Sequence, residues 1–118
     1  MTDITAEDTA KPPDIPTDHP HIVRTEGICG GRPRIKGTRI SVRLIAEFHK
    51  MGEAVEDILI MYPHLTSAAV YDAISYYYDH LEEIEAEIEA NKPENLLTKH
   101  NAYLDDRGVI HFRDLETE

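Results

Sequence analysis

Apolar residues recur at a fixed seven-residue step through the second half of the chain. Val70, Tyr77 and Ile84 form one series, and Ile74, Leu81 and Ile88 form a second, displaced by four. Spacing of this kind places every member on one side of an α-helix, as the a and d positions of a heptad seam. It predicts a single helix over residues 67–91, capped by Thr66 and ended by Lys92-Pro93. The other faces carry Asp79, Glu82, Glu83, Glu85, Glu87 and Glu89. The first half of the seam is expected to pack on the elements before it. The second half runs beyond them, which makes Leu81, Ile84 and Ile88 candidate partner-interface residues. The alternative cover is the C-terminal segment folding back.

Two shorter helices precede this one. Ser41 is a good N-cap for a helix over residues 42–51, with Leu44, Ile45, Phe48 and Met51 as its inward stripe and Gly52 at its end. A second helix is expected over residues 54–61, with Val55, Ile58, Leu59 and Tyr62 inward. Pro63 ends it, because the residue before a proline is pushed out of helical geometry. With His64-Leu65 as the turn, the pair makes a helix-turn-helix arrangement. Upstream, Ile22-Val23-Arg24-Thr25 is a short β-branched run. In Arg34-Ile35-Lys36-Gly37-Thr38-Arg39-Ile40, two isoleucines flank a glycine, which reads as a tight hairpin with cations at its tip. Tyr103-Leu104 and Val109-Ile110-His111-Phe112, around Asp105-Asp106-Arg107-Gly108, predict a second small hairpin. The expected fold is therefore mainly α: a helix-turn-helix core preceded by a small basic β-hairpin, with a long third helix and a C-terminal hairpin. Residues 1–18, with Pro12, Pro13 and Pro16 and no periodicity, read as a disordered tail. Residues 19–91 then form the domain and residues 92–118 an extension.

Charge is segregated along the chain. The net charge is −11, yet between Ile22 and Lys50 the cations Arg24, Arg32, Arg34, Lys36, Arg39, Arg43 and Lys50 are opposed only by Glu26 and Glu47. Affinity for DNA begins with phosphate neutralisation by such side chains. The third helix is a poor reader of DNA: it opens Ser67-Ala68-Ala69-Val70-Tyr71-Asp72 and has no cation before Lys92. If duplex DNA is bound, Arg32, Arg34, Lys36, Arg39 and Arg43 of the hairpin and first helix are expected to hold it. The alternative is that these cations form a solubilising rim or salt bridges to the acidic helix of the same chain or of a second copy.

Catalytic and cofactor chemistry find no pattern here. Gly30-Gly31 is followed by Arg32-Pro33, not by the Lys-Ser/Thr of a phosphate-binding loop. The lone Cys29 has no obvious base beside it and cannot form an internal disulfide. The 7 histidines are scattered without metal-ligand spacing. We expect no enzyme activity, no cofactor and no metal. With no long apolar run and no charged-then-apolar start, no membrane association and a cytoplasmic location are expected.

Two stretches carry a family resemblance: Cys29-Gly30-Gly31-Arg32-Pro33-Arg34-Ile35-Lys36-Gly37-Thr38-Arg39-Ile40, and Tyr62-Pro63-His64-Leu65-Thr66 before an Ala/Tyr-rich run to Tyr78-Asp79-His80. In that order they resemble the domain-of-unknown-function 433 family, over roughly residues 18–91. Many members are described as VapB-type antitoxins. The resemblance implies a homeodomain-like helix-turn-helix, encoded beside a PIN-like ribonuclease toxin that it binds and silences, with repression of its own operon through DNA. A homo-oligomer, dimeric or of higher even order, is the expected assembly. PIN-like nucleases hold metal with clustered carboxylates, which an arginine fork matches well. That makes Arg107 and Arg113 candidate toxin contacts, unless they only pair with Asp105, Asp106 or Asp114. The alternative function is a protein-interaction and dimerisation module that does not bind DNA.

Overall fold

β-branched residues and a proline build a small antiparallel sheet at the front of the chain. In the computed structural model, which describes residues 11–95 and 102–112, strands β1 (Ile15–Pro16), β2 (Ile22–Arg24) and β3 (Arg34–Ile35) lie in the order β1-β2-β3. Ile15 pairs with Arg24 and Pro16 with Val23; on the other side Ile22 pairs with Ile35 and Val23 with Arg34. Ile22 and Ile35 are buried, so the sheet turns one face into the core. The expected tail therefore ends earlier than residue 18. Residues 11–18 contribute a strand, and Thr17 ties them down by donating its hydroxyl to the Ile22 carbonyl at 2.7 Å.

Helix α1 (Val42–Lys50) starts where Ser41 accepts the Leu44 N–H on its hydroxyl. Helix α2 (Val55–Met61) stops before Pro63, and α3 (Ser67–Asp79) starts where Thr66 accepts the Ala69 N–H. Such side-chain caps satisfy donors that the first helical turn cannot. Ile45, Ala46, Ile58, Val70, Ala73 and Tyr76 meet in the core. Each fully buried branched side chain there contributes about 1.5–3 kcal/mol. Met51, expected inward, is 68% exposed because α1 ends before it.

The long third helix is two helices. α3 stops at His80, whose φ of −132° and ψ of 50° are not helical, and α4 (Leu81–Ala90) follows at once. Neither proline nor glycine causes the break. Side chains hold it: the His80 ring stacks on Tyr76 at 4.1 Å and bonds Asp18, while Asp79 is drawn to His19. The seam survives, since Tyr77 and Ile84 are buried on either side of the break. Glu82 and Glu83 then favour the new N-terminus through the helix dipole.

The chain divides into two units, Met1–Ile84 and Glu85–Glu118, with the boundary inside α4. In the second unit, β4 (Ala102–Leu104) pairs antiparallel with β5 (Ile110–Phe112), as the sequence pattern predicts. Asp105 shapes the turn between them by accepting the N–H groups of Arg107 and Val109, each at 2.9 Å. Among the described residues, no helix is long and apolar enough to cross a membrane.

Candidate functional site

The hairpin after β3 is closed by the Ile35 N–H on the Ile40 carbonyl at 2.8 Å and the Thr38 N–H on the Ile35 carbonyl at 3.1 Å. Gly37 makes the reversal at a φ of 80°, a conformation that side-chain-bearing residues rarely adopt. The Thr38 hydroxyl donates to Ile35 and accepts from Ile40. This fixes a tip from which Lys36 and Arg39 reach solvent. The Lys36 N–H donates to the His21 carbonyl at 2.9 Å, so the tip is anchored to the start of β2.

Across from the tip stands the turn between α2 and α3. Leu65 is buried and leaves His64 and Thr66 outside. His21, Lys36 and Thr38 from one side and His64, Leu65 and Thr66 from the other line a groove of about 280 Å³. Both sequence motifs thus converge on one surface.

Not all of the cations expected there are available. Arg34 is 4% exposed: its guanidinium donates to the Thr38 carbonyl at 2.6 Å, the Thr25 hydroxyl at 2.9 Å and Asp14 at 3.0 Å. Its place is inside the hairpin, where the Thr38 carbonyl, the Thr25 hydroxyl and Asp14 gather around the guanidinium, while Lys36, past the end of β3, is exposed. Arg43 is half-buried and pairs with Glu47 at 3.1 Å, one helical turn on. Arg24 pairs with Glu83, so one cation does bridge to the acidic helix of the same chain. Arg32, Lys36 and Arg39 are exposed, and Lys36 and Arg39 make no ion pair among the described residues.

The acid that opens the third helix is also accounted for. Asp72 turns inward: its two oxygens accept from His19 Nδ1 at 2.7 Å and from the His21 N–H at 2.9 Å. The exposed residues at the start of α3 are Ser67, Ala68 and Tyr71, none of them acidic. His19 is 8% exposed and uses its second nitrogen on Asp79, also at 2.7 Å. Burial alone would drive off its proton, but hydrogen bonds to Asp72 and Asp79 and the negative charges of Asp72 and Asp18 outweigh it and raise the pKa above 6.5. His19, Asp18 and Asp79 offer ligand atoms within 4.8 Å of one another, yet both imidazole nitrogens already face carboxylate oxygens at hydrogen-bond distance. Asp18 bonds His80 at 2.9 Å, and that bond holds its carboxyl below 3.8. Burial and the neighbouring Glu83 push the Tyr76 hydroxyl up, and it joins Arg24 to Glu83 at 3.2 Å on each side. Sequence reasoning missed this network. Its signal was Asp72, Tyr76 and Asp79 at helical spacing on one face of α3.

The expected partner-interface residues separate. Leu81 is 45% exposed, whereas Ile84 is fully buried and Ile88 is buried too. Ile84 and Ile88 therefore offer little surface to a second copy. Arg107 is exposed and pairs with Asp105 at 3.9 Å, and Arg113 lies outside the described residues.

A family model described as a protein of unknown function, DUF433, matches residues 22–77. Residues 22–77 are a DUF433 domain. The DUF433 match begins at β2 and ends within α3, so it holds the hairpin and the whole turn of the groove but neither His19 nor Asp79. A crystal structure of a DUF433 member protein from Anabaena variabilis ATCC 29413 is similar at 28% identity and a TM-score of 0.56, over 75% of this chain and 79% of that one. None of the curated proteins matches the chain.

Proposed function

We propose that this DUF433 chain is an antitoxin-like regulator. It grips operator DNA at the groove between the hairpin tip and the α2–α3 turn, and it neutralises a PIN-like nuclease toxin as a homo-oligomer of even order. The observation that carries the DNA half is the convergence of the exposed Lys36 and Arg39 hairpin with the turn that precedes α3. In a homeodomain-like helix-turn-helix the helix after the turn lies in the major groove. The inward Asp72 and the uncharged exposed start of α3 remove the main electrostatic objection to that placement. Phosphate contact then falls to Lys36 and Arg39, with Arg32 nearby in sequence.

Fluorescence anisotropy with duplex DNA across a salt series tests the reading. Each phosphate contact contributes about −0.9 to the slope of log K against log salt. Replacing Lys36 and Arg39 with alanine should flatten the slope by about 2. An unchanged slope would remove DNA binding from this surface. Co-expression with a PIN-like nuclease tests the other half. The exposed Arg107 is the candidate contact for an acidic metal site, and a toxin silenced equally well by Arg107→Ala would dismiss it.

Exposed apolar residues favour the second reading, a protein-interaction and dimerisation module without DNA. Ile60 is 75% exposed, Met61 45% and Leu81 45%. Salt-dependent binding to duplex DNA separates the two readings, and light scattering that finds a monomer at about tens of micromolar would remove the oligomer from both.

A further inference from the structure

His19 sits between two carboxylates that can only accept. Nδ1 meets Asp72 and Nε2 meets Asp79, each at 2.7 Å. A neutral imidazole has one N–H and one lone pair, so it can satisfy only one of them. The imidazolium can satisfy both. The groups around it come from three elements: Asp72, Tyr76 and Asp79 from α3, His80 from the break, and Asp18 from the strand connection. Arg24 of β2 and Glu83 of α4 stand one contact further out, through Tyr76. Three of the facing groups are carboxylates. The other imidazole beside it is that of His80, which bonds Asp18 at 2.9 Å.

We propose that His19 is a proton-operated clasp, fastening the connection between β1 and β2 to the end of α3 when protonated and releasing the α3–α4 break when neutral. The two arms are unequal, and that decides what opens. The Asp72 side chain is 14% exposed and is held on its other oxygen by the His21 N–H. The Asp79 side chain is 59% exposed and can rotate into water. Loss of the proton therefore leaves His19 donating to Asp72 and frees Asp79. Asp79 is the last residue of α3, so its release loosens the turn that ends the helix. Solvent reaches the clasp by the same exposed carboxylate, which gives a buried ring a route for proton exchange.

Asp72 also couples the clasp to the groove. It accepts from His21, and the His21 carbonyl accepts the Lys36 N–H. The clasp itself does not depend on what the groove binds.

NMR on the full chain tests the device. The His19 ring should carry protons on both nitrogens below its midpoint, and that midpoint should lie above 6.5. As it titrates, the backbone amides of residues 79–83 should shift with the same midpoint. Above that midpoint, protection of those amides, corrected for intrinsic exchange, should fall by up to about tenfold per pH unit, the limit for one linked proton. Asp79→Asn, at an exposed position that leaves the core intact, should lower the midpoint and weaken the protection. His19→Gln should abolish the pH dependence. If His19→Gln fails to fold, Asp79→Asn carries the test alone. A ring that titrates at or below 6.5, or one whose titration leaves residues 79–83 unmoved, overturns the proposal.

Discussion

Replacing Arg34 with alanine should unsettle the fold and not merely a surface. Its side chain is 5% exposed and its guanidinium holds three elements together, through Thr38, Thr25 and Asp14. A hydrogen bond from a charged donor is worth about 1.5–3 kcal/mol net. Those to Thr38 and Thr25 are the two enclosed ones. The Asp14 side chain is 42% exposed and recovers water when the arginine goes, so that arm adds about 0.5 kcal/mol. Against this, Nε has no hydrogen-bond partner among the described residues, and its removal relieves about 1 kcal/mol. Thr25 also keeps its bond to Asp14. The balance is a loss of about 2–4 kcal/mol. For a unit of this size that lowers the melting temperature by roughly 10–25 °C. Thermal melts followed by circular dichroism at 222 nm, with urea titration as a second probe, measure it. Arg34→Lys keeps the charge without the fork and should recover less than half of the loss. An Arg34→Ala chain melting within about 2 °C of the parent, as expected of a surface site, would refute the reasoning and return Arg34 to the exposed cations.

Three other perturbations follow from the geometry. Ile84→Glu should cost about 4 kcal/mol or more, because it buries an unpaired charge, while Leu81→Glu should change stability by about 0.5 kcal/mol or less; denaturant midpoints of the two variants check this. Asp18 has a folded pKa below its ordinary 3.8, so its contribution is present above 3.8 and lost as pH falls through the lower folded value. Acid unfolding of Asp18→Asn should accordingly lack that segment of the pH profile. Tyr76→Phe removes the hydroxyl between Arg24 and Glu83 and should cost about 1 kcal/mol, read from urea unfolding.

Local signals made most elements legible in the sequence. Ser41 and Thr66 cap where cap residues should, and Pro63 and Gly37 end a helix and turn a hairpin for steric reasons that need no tertiary context. The heptad seam located the buried face of α3 but not the break at His80. Periodicity reports which side of a helix is buried, and Tyr77 and Ile84 satisfy it whether or not the backbone between them is helical. The break depends on Asp18 and His19, some sixty positions away, and no window along the chain contains that pairing. The same limit applied to charge. Arg34 and Lys36 look alike in a string of cations, and only the partners that the fold brings to Arg34, Thr25 and Asp14 among them, put one in the core and leave the other in solvent. Asp14 and Thr17 lay in a stretch whose prolines suggested disorder, yet Pro16 occupies the one place in a sheet that tolerates it.

The placement of Pro16 limits how the molecule can meet others. A sheet edge ordinarily offers a row of free N–H and C=O groups on which a foreign strand can grow. Here β1 is two residues long and one of them has no N–H. At the opposite edge, Arg34 is already bridged to Ser41, so the hairpin covers its own flank. Both borders of this sheet are poor templates for an added strand, which disfavours recruitment of a peptide by strand addition. The same blunting protects the sheet against edge-to-edge stacking of copies in a crowded solution, and leaves recognition to side chains and helix faces.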